Sequence, residues 1–394
     1  MKKYRKILTI LIISCCAVFS VIGIISVIMV TTSNIYIEGK SKELQSNIDQ
    51  SYIFNNRKIL SVKNNVVNYD VLDGSYFNIS PACDKNKAFK VRLKDTITTE
   101  PFIYNDLNNI IAISDIEGNF KVFTSFLISN KIIDENFNWI FGNGHLVCNG
   151  DFFDRGNDVT ATLWLIYKLE EEAEAQGGKV HFIIGNHEEM NLRGNTNSTH
   201  RKYTTLAKNI GIPYKEMYGK NTELGRWLRS KNSMEIINKT IFTHAGVSPF
   251  VIEKKYTLTE INNLTQDYIG NDHNYIDFLN SRAGFLFSRK GPMWYRGYFG
   301  DYKDYYKATT QADIEAVLHY FEANRIVVGH TIVDQVTPMY NNKVIAIDVM
   351  SANDPRKKDD DEMAVSCEGL FIENGNFYRA LFNGKKELMF TQND

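Results

Sequence analysis

The chain has 394 residues, 43% of them apolar and 23% charged, with a formal net charge of -1. The length fits one large domain or two smaller ones, and the composition is that of an ordinary globular protein. The near-neutral balance leaves no basic footprint for nucleic acid, and the five cysteines form no metal-binding spacing.

The N-terminus carries Lys2, Lys3, Arg5 and Lys6 ahead of an unbroken run of apolar and small residues from Ile7 to Val30. That run exceeds the roughly 20 residues a helix needs to cross a bilayer core. A positive cluster stays on the cytoplasmic side. Residues 1–30 are therefore expected to form a single-pass membrane anchor, with the rest of the chain outside the cytoplasm. Two rivals remain. A cleaved signal peptide has a shorter apolar part, about 7–15 residues, and lipidation at Cys15 conflicts with a run that continues past it. Cys83 and Cys367 can pair only in an oxidising compartment, and spacing does not say whether they approach.

Residues 31–108 read as a linker and an accessory β region, a stalk and a cover for one sheet edge. Lys40–Gln50 is polar enough for a short helix. Val66–Phe77 and Phe89–Val91 are β-like, with a turn at Asp73-Gly74. From residue 109 to 394 the pattern is α/β. Strands are expected at Ile110–Ser114, His145–Asn149, Lys179–Ile184, Thr240–Thr243, Arg325–Val328, Lys343–Ile347, Gly369–Ile372 and Phe377–Leu381. Helices are expected at Phe120–Asn130, Val159–Gln176 and Gln311–Ala323. The charged run from Asn353 to Glu362 reads as a solvated loop.

The chemistry lies at the strand ends. The first runs into Asp115-Ile116-Glu117-Gly118-Asn119, and alternation along an extended chain turns both carboxylates one way. The second runs into Gly150-Asp151-Phe152-Phe153-Asp154-Arg155-Gly156. The third ends in Gly185-Asn186-His187-Glu188, the fourth in His244-Ala245-Gly246, the fifth in Gly329-His330-Thr331. Taken singly, Asp115 is a helix cap, Asn186 a turn residue, and His244 and His330 core histidines. Taken together, carboxylates, an amide and two imidazoles at five strand ends are the donor inventory of a two-metal centre. His145, His181, His200, His273 and His319 match no motif.

This five-block order resembles the calcineurin-like metallophosphoesterases. Asp154-Arg155-Gly156 and Asn186-His187-Glu188 are similar to the phosphoprotein phosphatase branch. Gly291-Pro292-Met293-Trp294-Tyr295-Arg296-Gly297-Tyr298 resembles the bacterial, Shewanella-like members. The resemblance covers about Asn109 to Phe382 and implies a four-layer α/β/β/α sandwich. It implies Asp115 and Asp151 on a first metal, with Asp151 bridging to a second held by Asn186, His244 and His330. His187 would be the general acid, Asp154 its holder, Arg155 a phosphate clamp and Arg296 a second clamp. Glu117 stands where most members have histidine. As a ligand it would favour harder ions such as Mn²⁺ or Mg²⁺, and turned away it would leave the first site weak. Two divalent ions are thus expected, Mn²⁺ favoured, with Fe, Zn or Mg as alternatives.

The function these readings support is a membrane-anchored phosphatase. A two-metal-activated hydroxide would attack phosphorus, and the departing oxygen would need a proton from an acid that is not itself a ligand. The expected substrate is a phosphorylated protein. A dinucleoside-polyphosphate or small phosphoester hydrolase is the enzymatic alternative. A weakly active binding or scaffold protein with a degenerate first site is the non-enzymatic one. The oligomeric state is not readable. Tyr203, Tyr295, Tyr298, Tyr305 and Tyr306 lie in long connections that either wall a pocket or pack as a cap.

Overall fold

The computed structural model describes residues 49–392 except 55–57, 64–65, 85, 106, 108, 272–274 and 350–366. The expected anchor at Ile7–Val30 and the charged run at Asn353–Glu362 lie outside the described residues. The expected single-pass membrane localisation is corrected here: among the described residues no helix is long and apolar enough to cross a membrane.

The described residues open with a three-stranded antiparallel sheet, β1 (Asp49–Ile53), β2 (Lys58–Lys63) and β3 (Val66–Val71). Asp49 and Gln50 are therefore strand residues, where a polar helix was expected. A ribbon of β4 (Tyr76–Ile79) and β5 (Phe89–Arg92) follows, then the two-residue β6 (Ile103–Tyr104).

Two six-stranded sheets carry the rest. The first holds β7 (Asn109–Ile113), β8 (His145–Cys148), β9 (Lys179–Phe182), β15 (Glu368–Glu373), β16 (Asn376–Leu381) and β17 (Lys386–Thr391), in the order β17-β16-β15-β7-β8-β9. Its β7, β8 and β9 are parallel. The second holds β6 together with β10 (Met234–Ile237), β11 (Thr240–Thr243), β12 (Arg325–Val328), β13 (Thr337–Met339) and β14 (Val344–Ala346), in the order β13-β14-β12-β11-β10-β6.

Strand alternation sets the layers. Ile110 and Ala112 of β7, Val147 of β8, Val327 of β12 and Ile345 of β14 share one buried cluster between the sheets. Their neighbours Ile111, Ile113, Leu146 and Cys148 face the other way, into a cluster with helices α1 (Phe120–Ser129) and α2 (Val159–Glu174). Ile326, Val328, Val344 and Ala346 likewise face Ile261 and Ile314, on α4 (Leu258–Tyr268) and α5 (Gln311–Tyr320). Helix α3 (Asn186–Arg193) follows β9. Period-two strands buried on both faces explain why these segments read as continuous apolar runs. The order across the molecule is helix, sheet, sheet, helix.

The accessory strands do more than edge a sheet. Only β6 does that, pairing with β10 in parallel. The others lie on the outer helices: Tyr52, Ile53, Leu60, Leu72, Phe77, Ile79, Phe89 and Val91 are buried in the α1–α2 cluster. Phe77 meets Trp164 edge-on at 4.8 Å, Phe89 stacks over Phe120 at 6.0 Å, and Tyr52 meets Tyr218 at 5.7 Å. Asp158, at the start of α2, accepts the Ala82 and Cys83 N–H groups at 2.6 and 2.9 Å. Lys231, buried, is paired with Glu100 and, at 2.7 Å, with Glu170. Cys83 is exposed, Cys367 is buried, and both are free thiols.

Candidate functional site

Three of the five strands that end in motif residues, β7, β8 and β12, run into left-handed backbone. Positive φ occurs at Asp115 (54°), Glu117 (50°), Asp151 (59°), Asp154 (73°), Arg155 (51°) and His330 (65°). For non-glycine residues this costs on the order of 1–3 kcal/mol each, and such strain gathers at functional sites. The loops hold it by zipping together: Asp115, Glu117 and Gly118 N–H donate to the carbonyls of Gly150, Asp151 and Phe152 at 2.9–3.0 Å. Two motif glycines answer to space. A Cβ at Gly329 would lie 2.0 Å from Ser114 Oγ and 2.4 Å from Asp115 Oδ2, and one at Gly185 would lie 2.3 Å from Asp151 Oδ1.

Two groups of possible ligand atoms result, Asp151–His244–His330 and Glu117–Asp151–His187, each with all atoms within 4.8 Å of one another and every residue buried. Asp151 belongs to both. Its Oδ2 lies 3.1 Å from His244 Nε2 and 3.7 Å from His187 Nε2. Asn186 Oδ1 joins the first group at 3.0 Å from His244 Nε2. Asp115 stands beside these groups, its Oδ2 accepting the His330 N–H at 3.0 Å and the Ser114 hydroxyl at 2.6 Å.

The electrostatics describe a place that attracts a cation. Burial alone would raise Asp151, but His244 and His187 pull it well below the carboxylate range. Burial would lower His244, yet Asp151 and Asp115 lift it to about 10. The pull on that proton is the pull a divalent cation would feel. Burial, with His244 and Arg296 nearby, pushes His330 well below the usual imidazole range, so its ring is neutral. Its Nε2 is buried with no hydrogen-bond partner among the described residues. A neutral imidazole with a bare nitrogen is a metal donor awaiting an acceptor. His244 Nδ1 lies 3.0 Å from the Asn149 carbonyl, which aims Nε2 inward. These donors fit a divalent cation.

Beside them His187 Nδ1 lies 2.5 Å from Asp154 Oδ2. Burial opposes protonation of this ring, but Asp151 and Asp154 outweigh it and raise its pKa. Arg155 sits against Glu117. Arg296 NH1 donates to the Thr331 hydroxyl at 2.9 Å, next to His330. Trp294 meets the His330 ring edge-on at 5.8 Å.

Other side chains brace the centre. Glu188 accepts four backbone N–H groups: Gly185, Asp151 and Phe152 at 2.8–2.9 Å and Phe153 at 3.3 Å. The signal was a glutamate three positions into a helix, where carboxylates cap. Asn191 and Thr199 reach Asp154 from outside every motif. Of the five tyrosines in the long connections, Tyr203, Tyr295, Tyr298 and Tyr306 are buried packing and Tyr305 is exposed. His181 is a buried strand residue, 2.8 Å from His145 and 2.6 Å from Glu235.

The family model for calcineurin-like phosphoesterases matches residues 109–334. Shewanella-like protein phosphatase 1 of Plasmodium berghei is 31% identical over 251 residues, 62% of this chain and 68% of that one. Shewanella-like protein phosphatase 2 of Arabidopsis thaliana is 26% identical over 289 residues, 61% and 70% of the two chains. The crystal structure of a cold-active protein-tyrosine phosphatase of a psychrophile Shewanella species is 32% identical, with a TM-score of 0.77 over 87% of this chain and 100% of that one.

Proposed function

Because this chain belongs to the calcineurin-like phosphoesterases, whose members hydrolyse phosphoesters, we propose that it is a metal-dependent protein phosphatase with the groups around Asp151 as its centre. The observation that carries this is Asp151 itself, whose carboxylate lies with His244 and His330 and also beside Glu117, with His187 held next to it by Asp154.

In this reading Asp115, Glu117 and Asp151 would hold one divalent ion, and Asp151, Asn186, His244 and His330 would hold the other. Such a pair neutralises phosphate charge and makes bound water acidic. Mn²⁺ is the first choice, because Glu117 adds a hard oxygen. Arg155 and Arg296 bind phosphate oxygens through paired N–H groups. A water oxygen bonds to phosphorus as the opposite P–O ester bond breaks. His187 Nε2 gives its proton to the departing oxygen, so that phosphate and an alcohol or phenol are the products. Asp154 accepts the Nδ1 proton of His187 and so leaves the Nε2 proton facing the centre. The accessory strands cover the helices of the catalytic domain, 109–394.

The test is hydrolysis of phosphopeptides and of 4-nitrophenyl phosphate with added Mn²⁺, wild type beside His187→Ala. Turnover that a chelator abolishes and Mn²⁺ restores is expected, with His187→Ala lowering that of phosphopeptides about 100-fold or more and that of 4-nitrophenyl phosphate, whose leaving group needs no proton, much less. Turnover of dinucleoside polyphosphates but not phosphopeptides would replace the protein substrate with a small one. No metal-dependent turnover at all would leave a binding protein with a degenerate first metal site.

A further inference from the structure

The segment from Asn195 to His200 belongs to no motif, yet two of its groups touch the centre. The Ser198 carbonyl accepts the Arg155 N–H at 3.0 Å. The Thr199 hydroxyl lies 2.9 Å from Asp154 Oδ1 and 3.0 Å from Asn191 Oδ1. Asn191 Nδ2 donates to that same Asp154 oxygen and to the His187 carbonyl, both at 2.8 Å. Asp154 thus gives one oxygen to His187 and the other to Thr199 and Asn191. The Thr199 hydroxyl has one proton and two acceptors in reach. The carboxylate takes it, since charge-assisted hydrogen bonds are roughly twice as strong as neutral ones.

We propose that Thr199, together with Asn191, is a positioning residue that clamps Asp154 so that His187 Nε2 points at the leaving oxygen. The proposal rests on the phosphatase reading above. A carboxylate fixed at one oxygen can turn about its terminal torsion, which is broad and two-fold. Two donors on the second oxygen hold its plane. Asp154 is 1% exposed, so water has no open path to replace a lost donor. Small misplacement of an acid is expensive in rate, about 100-fold for about 1 Å. Because Ser198 also holds the left-handed backbone of Arg155, one loop sets both the acid and the guanidinium.

The step this clamp serves is a proton transfer. As the ester P–O bond breaks, its electron pair goes to the leaving oxygen, and the His187 Nε2 proton moves onto that oxygen. A 4-nitrophenolate leaves readily without the proton, whereas a plain phenolate needs it. A weakened acid therefore harms poor leaving groups most.

The experiment is steady-state hydrolysis of 4-nitrophenyl phosphate and phenyl phosphate by the Mn²⁺-loaded full chain. Thr199→Val keeps the side-chain shape and removes the hydroxyl. Its kcat on phenyl phosphate should fall about tenfold or more, while that on 4-nitrophenyl phosphate falls less than about threefold. KM and Mn²⁺ content should stay constant, and Thr199→Ser should restore the rate. In a His187→Ala background the Thr199→Val change should add nothing, since the two act as a unit. Asn191→Ala is read in the same way should Thr199→Val unfold. Equal losses on both esters, no loss on either, or a fall in bound Mn²⁺ overturns the positioning role. A wild-type enzyme that hydrolyses neither ester overturns the phosphatase reading, and the clamp with it.

Discussion

Deleting residues 1–108 should destroy the fold rather than trim it. The cut removes Tyr52, Phe77 and Phe89 from the rings of Tyr218, Trp164, Phe120 and Phe137, and removes the Lys94 N–H from the Tyr167 hydroxyl. These are among the bulkiest side chains of the helical layer. If each of those five rings gains about 100 Å² of exposure, less than the 150–250 Å² an aromatic side chain buries, about 500 Å² opens. At about 25 cal/mol per Å² that is about 12 kcal/mol, within the roughly 5–15 kcal/mol by which a domain is stable at all. The cut also takes Glu100 from Lys231 and Lys179, the first of which is buried. Lys231 keeps Glu170, so this loss adds less than the roughly 3–5 kcal/mol of a buried charge left without any partner. The assay is a circular-dichroism melt and dye binding of 109–394 beside the full chain. A fragment that melts cooperatively within about 5 °C of the full chain would show that these contacts are ornamental and the arithmetic wrong.

Three further outcomes are expected. Gly329→Ala should push Asp115 out of place, because the added methyl would lie 2.4 Å from its Oδ2; Mn²⁺ content and turnover should both drop, and retention of both would refute the steric account. Glu117→Ala should lower Mn²⁺ occupancy measured by elemental analysis, and unchanged occupancy would remove Glu117 from the ligand set. Burial, with His181 and Lys179 nearby, pushes His145 down to about 4. A lowered imidazole contributes stability that is full above its ordinary pKa of about 6.5 and lost as pH falls toward 4. Wild-type melting temperatures should therefore decline over that window, and those of His145→Phe should decline less; parallel slopes would refute it.

The parts legible beforehand were those with local punctuation. Thr240–Thr243 and Arg325–Val328 are strands over the expected residues, because short apolar runs stop at His244 and Gly329. β10 was missed because Glu235 interrupts its apolar run. That carboxylate faces inward and is met by His181 Nδ1 at 2.6 Å and by the Asn232 amide at 2.9 Å, partners far away or invisible as such in sequence. β17 was missed for the opposite reason: it is an edge strand whose Lys386, Glu387 and Leu388 are exposed. The motif residues announced themselves by residue type at strand ends. Asn191 and Thr199 did not, because a hydroxyl or amide that only steadies a carboxylate carries no spacing rule.

The donors around Asp151 come from both sheets: Asp115, Asp151 and Asn186 follow β7, β8 and β9, whereas His244 and His330 follow β11 and β12. An ion held there is a rivet through two plates. Its binding energy adds to whatever keeps the plates from sliding, by RT ln(1 + [L]/Kd) for a ligand that the unfolded chain does not hold. A thermal melt run against rising Mn²⁺ would then read out ion affinity with no substrate present, and the half of the rivet set in each plate could be filed away separately, at Asn186 or at His330, to learn which end grips.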